Sequence, residues 1–161
     1  MGNIRSFREL RVWNTAMDLA MKIFEASKRF PLEEKYSLTD QIRRSSRSVA
    51  ANITEAWRRR KHSGAFRNQL NVAESEAAET QTWIELALRC GYLNSTDAST
   101  LDSDYETLIS QLVFMSTHAE DWVIKVQVAE TVGRKVASKP QRSTVPVSPR
   151  PRVPASSYSR V

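Results

Sequence analysis

The sequence predicts an all-α protein, an antiparallel up-down-up-down four-helix bundle followed by a disordered C-terminal tail. Apolar residues recur every three or four positions as far as about residue 126, which is the spacing of a helical stripe. Helix-forming residue types dominate this part of the chain, and five of the six prolines lie beyond residue 139. Four such helices with short connections favour an antiparallel bundle. We therefore expect a bundle over residues 1–130 and a basic Pro/Ser/Arg-rich tail over residues 131–161.

The first helix is predicted from a stripe of apolar residues at spacings of three and four. The sequence FPLEEKYS interrupts it, because Pro31 cannot continue a helix interior but suits the first turn of the next helix. Glu33 and Glu34 would then lie near the positive N-terminal end of the second helix. The stripe consists of Leu10, Trp13, Met17, Ala20 and Phe24, with Ala16 and Ile23 alongside.

The second helix has three kinds of surface when its residues are placed at about 100° intervals. The face predicted to be buried carries Leu38, Ile42, Val49, Ile53 and Ala56. A line of cations lies roughly 140° away and carries Arg43, Arg47, Arg58 and Lys61. A polar flank lies between the two and carries Gln41, Arg44, Ser48, Asn52, Glu55 and Arg59.

The third and fourth helices follow from clear stripes and stop signals. Ser63 is a candidate N-cap for the third helix, and Gly91 can end it in a left-handed conformation. The third stripe is Phe66, Leu70, Ala73, Ala77, Thr80, Ile84, Ala87 and Leu88. The fourth is a heptad seam of Leu101, Tyr105, Leu108, Leu112, Met115, Ala119, Trp122 and Val126.

Charge is strongly polarised along the chain. Residues 43–67 carry eight Lys or Arg and one carboxylate, whereas residues 68–130 carry two against eleven. This asymmetry indicates either an anionic partner or self-complementary assembly. Arginine matches phosphate oxygens, and Trp57 beside the run RRRK would be able to stack on bases. The residues predicted to bind nucleic acid are Arg43, Arg47, Arg58, Arg59, Arg60, Lys61 and Arg67.

The polar flank of the second helix has two interpretations, because short polar residues in mid-helix lower helix propensity. It is either a hydrogen-bonded seam to a neighbouring helix or a ligand contact. The predicted seam consists of Gln41, Arg44, Ser48, Asn52, Glu55 and, from the third helix, Glu79.

Large apolar side chains outside the stripes predict a homo-oligomer, because several on adjacent turns of two helices are typical of an interface. The basic second helix could then face an acidic neighbour. The predicted interface residues are Val72, Trp83, Val113, Phe114 and Ile124.

Catalysis and cofactor or metal binding are not expected. His62 and His118 stand alone, Cys90 has no nearby histidine, and no Gly-rich phosphate loop is present. A cytoplasmic protein without a membrane span is expected, because the single cysteine rules out an internal disulfide and no apolar run approaches about 18 residues. The tail segment PVSPRPRVP is either a polyproline-type ligand or simply cationic.

Three stretches carry a resemblance to a known family: FRELRVWNTAMDLA, FPLEEKYSLTDQIRRSSRSVAANITEA and LALRCGYL. They resemble the four-helix-bundle proteins encoded in bacterial 23S ribosomal RNA intervening sequences and, more distantly, the accessory variability proteins of diversity-generating retroelements. The resemblance covers about residues 7–126. The chain departs from the family pattern at Thr54 and Ala56 and at Ser75-Glu76, where small residues or glycine are usual.

The resemblance implies a non-enzymatic bundle, often assembled as a ring of five, whose best understood members bind nucleic acid and a reverse transcriptase. The sequence and the resemblance therefore favour two alternative functions. The first is binding of RNA or complementary DNA by an oligomer, as a reverse-transcriptase accessory factor or an intervening-sequence protein. The second is a protein interaction module whose basic helix contacts only protein.

Overall fold

Four α-helices make up most of the computed structural model, which describes residues 4–124. The helices are α1 (Arg11–Ser27), α2 (Leu38–Arg59), α3 (Ser63–Arg89) and α4 (Ser95–Thr117). Short 3-10 turns precede α1 and α2 and follow α4, at Phe7–Glu9, Leu32–Glu34 and Ala119–Asp121. No strand occurs between residues 4 and 124. The predicted boundary at residue 130 and the predicted tail over 131–161 lie outside the described residues.

The helices form the predicted four-helix bundle. Each helix packs against its neighbour in sequence, and α1 also packs against α4, which closes the bundle. The core is apolar, and the predicted buried face of α2 is buried throughout. Of the α3 stripe only Leu88 is not fully buried, and it still packs against the core. The largest fully buried side chains are Tyr105, Phe66, Leu10, Ile23, Ile42, Ile53, Leu70, Ile84, Leu108 and Leu112.

The predicted face of α1 is only partly correct. Met17 is 40% exposed, whereas Val12 and Leu19, which lie outside the predicted stripe, are buried. The reason is that α1 packs between α2 and α4, so its buried face is rotated towards Leu19. Met17 is left beside Met21 on the outer surface of the bundle.

Two predicted helix boundaries are also corrected. Helix α2 begins at Leu38, and Pro31 instead precedes the separate 3-10 turn. Glu34 nevertheless lies at the N-terminus of α2, because its Oε2 accepts a hydrogen bond from the backbone N–H of Leu38 at 3.3 Å. Helix α4 ends at Thr117, so the last described seam residue, Trp122, follows a 3-10 turn. Val126 lies outside the described residues.

The connection between α3 and α4 is the predicted one. Gly91 adopts a φ of 75°, the left-handed conformation that glycine enters without a steric penalty. The backbone N–H groups of Tyr92 and Leu93 both return to the carbonyl of Ala87, and Leu93 is buried. The side chain of Asn94 then caps α4 by accepting a hydrogen bond from the Asp97 N–H at 2.8 Å. This short turn keeps α3 and α4 antiparallel.

Candidate nucleic-acid interface

The antiparallel packing separates the charges of the bundle between its two ends. The start of α1, the end of α2, the start of α3 and the end of α4 share one end, which we call the basic end. Its segments, 4–14, 55–68 and 113–124, contain eight Lys or Arg and four Asp or Glu, a net charge of +4. The segments of the opposite, acidic end, 25–40 and 85–104, contain four and eight, a net charge of −4.

Arg58 and Lys61 are the most available cations of the basic end. Both are exposed, and neither forms a side-chain hydrogen bond or an ion pair with another residue of the described bundle. Arg59 is also exposed but lies 3.4 Å from Glu55 one turn earlier. Both partners of this pair are more than half exposed, so the attraction is weak and the guanidinium can exchange partners. These three cations can therefore meet an anionic ligand.

Arg60 contacts its own chain at Trp57. Its guanidinium lies 3.6 Å from the centre of the Trp57 ring, and its Nη1 donates a hydrogen bond to the Trp57 carbonyl at 2.7 Å. Burial and the neighbouring charge of Arg58 lower the pKa of Arg60 from its usual value. Trp57 is itself only 5% exposed. The predicted stacking of bases on Trp57 is therefore wrong, because this indole packs into the core beneath Arg60.

Arg67 also contacts its own chain. Its Nε donates a hydrogen bond to the Ser116 carbonyl at 3.3 Å, in the last turn of α4. A cation at this position compensates the negative C-terminal end of that helix. Arg67 remains exposed at the surface of the basic end.

Three further cations of the basic end were missed by the sequence reasoning: Arg5, Arg8 and Arg11. All three are exposed, and no carboxylate of the described residues forms an ion pair with their side chains. Arg8 lies 4.6 Å above the Phe7 ring, which leaves its guanidinium at the surface. These cations could have been predicted from the bundle topology, because an antiparallel bundle must place the start of α1 beside the end of α2.

Arg43 and Arg47 lie away from the basic end. Arg43 precedes Arg58 by 15 residues, which corresponds to about 22 Å along the helix. The Nε of Arg43 donates a hydrogen bond to Ser27 Oγ at 2.7 Å, and its guanidinium lies 5.0 Å from the Phe24 ring. Arg47 is exposed and lines a shallow depression with Met17. The predicted stripe of cations is thus divided into two separate groups.

The predicted polar seam joins α2 to α3 at Arg44. Its Nη2 lies 2.6 Å from Glu79 Oε1, and its Nη1 lies 3.9 Å from Glu76 Oε2. Gln41 Oε1 accepts a hydrogen bond from Arg44 Nε at 3.2 Å, and Glu79 Oε1 accepts one from Trp83 Nε1 at 3.1 Å. Partial burial and the charge of Glu79 raise the pKa of Glu76. Arg44 is therefore neutralised within the bundle, unlike Arg58.

A second part of the seam is centred on Asn52. Its Nδ2 donates a hydrogen bond to the Ser48 carbonyl at 2.8 Å, and its Oδ1 accepts one from Gln69 Nε2 of α3. Gln69 is buried and was not among the predicted seam residues. Glu55 lies on the exposed side of α2 and pairs with Arg59 rather than with α3.

Most of the residues predicted to form an oligomer interface are exposed on the described bundle. Val72, Val113, Phe114 and Ile124 are exposed, whereas Trp83 is half-buried and hydrogen-bonded to Glu79. Phe114 lines a groove between α4 and α1.

Within residues 4–124, His, Cys, Asp and Glu side chains do not assemble into groups of three that could bind a metal ion. None of the helices in the described part of the chain has the length and apolar character needed to span a bilayer.

Comparison with known proteins places this bundle in a family. A crystal structure of a protein with unknown function from the S23 ribosomal protein family of Bacteroides thetaiotaomicron is 30% identical, with a TM-score of 0.60. The match covers 65% of this chain and 97% of that one. No curated protein matches the chain. The family model of the 23S rRNA-intervening sequence protein matches residues 8–113, and the chain belongs to this family.

Proposed function

We propose that this protein binds the backbone of nucleic acid without catalysing a reaction, and that the basic end of the bundle is the contact surface. The observation that carries the proposal is the net charge of +4 at this end, with Arg58 and Lys61 exposed and unpaired among the described residues. Cations of this kind contact phosphates and release counterions, which gives affinity without sequence preference.

The cations at the start of α1 extend this surface. Arg11 is the first residue of α1, Arg5 and Arg8 lie just before it, and Arg58 and Lys61 lie at the end of α2 and just after it. The surface is therefore built around the ends of two helices. Phosphates of one strand are spaced by several ångströms, and cations from two helices can contact more than one of them.

The point where the chain continues beyond residue 124 also favours the basic end as the contact surface. The backbone N–H of Ile124 donates a hydrogen bond to the Arg60 carbonyl at 3.0 Å, so the last described residue lies at the basic end. Residues 125–161 contain eight Lys or Arg and one carboxylate. Their charge would add sequence-independent affinity for nucleic acid.

RNA is the nucleic acid that the family description favours, since it names a ribosomal RNA intervening sequence. Complementary DNA and a reverse-transcriptase partner belong to the same proposal through the resemblance to retroelement accessory proteins. In this proposal the protein acts in the cytoplasm as a homo-oligomer, and a homopentamer is the first assembly to test.

The test is a comparison of two charge-matched double variants in a fluorescence anisotropy titration with labelled RNA. Arg58→Ala with Lys61→Ala removes two cations from the basic end, and Lys28→Ala with Lys35→Ala removes two exposed cations from the acidic end. The first pair should weaken all RNA sequences about equally and lower the slope of log affinity against log salt by about 2. The second pair should change neither quantity. Equal effects of the two pairs would contradict a site at the basic end.

A second candidate function is protein docking, and the opposite charges of the two ends favour it. The basic end of one copy would meet an acidic surface of a neighbour or of another protein. Under this function the Arg58 and Lys61 variant would change the subunit number measured by light scattering, and the wild-type protein would not shift RNA.

A further inference from the structure

A groove between α1 and α4 opens at the basic end, and Arg11 is the one lining residue that also belongs to the backbone-binding surface proposed above. Its volume is about 390 Å³. Its apolar walls come from Val12, Met115 and the exposed Phe114, and Arg11 lies at its edge. The remaining lining residues are polar or aromatic: Thr107, Ser110, Gln111 and Trp122.

Two of the residues that line this groove, Gln111 and Trp122, each have a side-chain polar atom without a hydrogen-bond partner among residues 4–124. These atoms are the acceptor Oε1 of Gln111 and the donor Nε1 of Trp122, and both are shielded from solvent. Buried polar groups are normally paired, so a side-chain rotation that brings either atom to the surface of the groove would let it pair with a bound guest. The terminal torsion of glutamine is soft, which allows the Gln111 amide to turn towards such a guest.

Phe114 supplies a flat aromatic surface at the mouth of the groove. Its ring is stacked on His118 with a centroid distance of 4.3 Å and an interplanar angle of 28°. It is nevertheless 56% exposed, so much of its surface is open to a ligand. The His118 contact holds the ring in one orientation beside the cations of the basic end.

We propose that this groove binds an unstacked nucleobase of a single-stranded RNA whose backbone lies on the basic end. The inference rests on the proposed function. A nucleobase is planar and stacks on an aromatic ring, and its edge carries both hydrogen-bond donors and acceptors. Phe114 provides the stacking surface, and Gln111 and Trp122 provide an acceptor and a donor once their side chains turn towards the groove.

Charge favours a nucleobase over an apolar side chain of a protein partner. Arg11 lies at the edge of the groove without an ion-pair partner in the described bundle, and Arg8 lies three residues earlier on the same end. A base that enters the groove brings its own phosphate to these cations, whereas an apolar side chain leaves them unmatched. Duplex RNA keeps its bases stacked and cannot fill the groove.

The experiment compares a 12-nucleotide single-stranded RNA with a blunt duplex of the same sequence in anisotropy titrations. Phe114→Ala should weaken single-strand binding at least fivefold and leave duplex binding within twofold, because one base loses its stacking partner. Trp122→Phe keeps the ring but removes the donor, and should give a smaller loss on the single strand alone. Leu86→Ala is the control, since Leu86 is an exposed apolar residue near the opposite end of the bundle.

The outcomes separate this inference from the proposed function. Wild-type protein that binds neither RNA would overturn both. If Phe114→Ala weakens the binding of both probes equally, or of neither, the groove does not bind a nucleobase. The proposed backbone contact is then unaffected. A change in the subunit number of Phe114→Ala, measured by light scattering, would assign the ring to a protein interface. It would also contradict the proposal that the groove binds a nucleobase.

Discussion

The guanidinium of Arg60 lies 3.6 Å from the ring centre of Trp57 and donates a hydrogen bond to the carbonyl of the same residue. Because of this contact, the residues of the run RRRK at the end of α2 have different roles. Arg60 covers a core tryptophan and ends the helix, whereas Arg58 and Lys61 on either side of it point to solvent. Four consecutive cations in the sequence therefore do not form four equivalent phosphate contacts.

Arg60→Ala is predicted to lower the free energy of unfolding by about 1–2 kcal/mol, because it removes a partly desolvated cation–π contact and a hydrogen bond at the helix end. Urea denaturation followed by circular dichroism measures this change. Arg58→Ala is the matched control and should stay within about 0.5 kcal/mol of the wild type. Equal stabilities of the two variants would show that the stacking on Trp57 contributes nothing.

Glu34 is predicted to make stability depend on pH in the acid range. Hydrogen bonds from Ser37 and from the backbone N–H of Leu38 lower its pKa below the usual 4.5. The folded protein therefore binds this proton less readily than the unfolded chain. The stabilisation is fully present above pH 4.5 and is lost as the pH falls through the lowered pKa.

The measurement for Glu34 is the urea midpoint of the wild type and of Glu34→Gln as a function of pH. The difference between the two proteins should be largest near neutral pH and should shrink below pH 4.5. Glu33→Gln changes the exposed neighbouring carboxylate and serves as the control. A constant difference at every pH would mean that Glu34 does not act through its charge.

The fold could be predicted from the sequence because each helix carries its own period and its own stop signal. The face of α2 from Leu38 to Ala56 and the left-handed Gly91 follow directly from residue type and spacing. The exposed position of Met17 could not be predicted in this way, because periodicity gives a stripe but does not say which two helices will cover it. The end of α4 at Thr117 was missed since the heptad spacing continues through the following 3-10 turn.

The candidate site was predictable only in part. The sequence places Arg58 and Lys61 three residues apart on one predicted helical line, and both are exposed. Arg5 and Arg11 join them only through the antiparallel topology, which composition alone does not reveal. Local charge also could not identify Arg60 as a structural residue, because its role depends on the orientation of Trp57 in the core.

Asn52 and Gln69 are predicted to be coupled in stability. Gln69→Leu removes the donor to Asn52 Oδ1 and leaves a half-buried acceptor unpaired, which should cost about 1–3 kcal/mol. The double variant Asn52→Leu with Gln69→Leu should recover part of that loss, because both polar groups are replaced by apolar ones. A double-mutant cycle of urea denaturation measures the coupling, and strictly additive effects would mean that the hydrogen bond adds no stability.

Removal of residues 131–161 is predicted to weaken RNA binding without changing the stability of the bundle. This segment contains seven Lys or Arg and no carboxylate, and the described helices end before it begins. The truncated protein should bind all RNA sequences more weakly and with a shallower salt slope, because fewer counterions are released. Its urea midpoint should match that of the full chain.

A full-length variant with these seven cations replaced by glutamine separates charge from the proline-rich motif. If charge alone acts, this variant and the truncated protein should lose the same affinity and the same salt slope. A glutamine variant that keeps wild-type RNA affinity, while the truncation loses it, would instead assign the effect to the segment PVSPRPRVP. Anisotropy titrations at three salt concentrations distinguish the two results, since only a charge effect changes the slope.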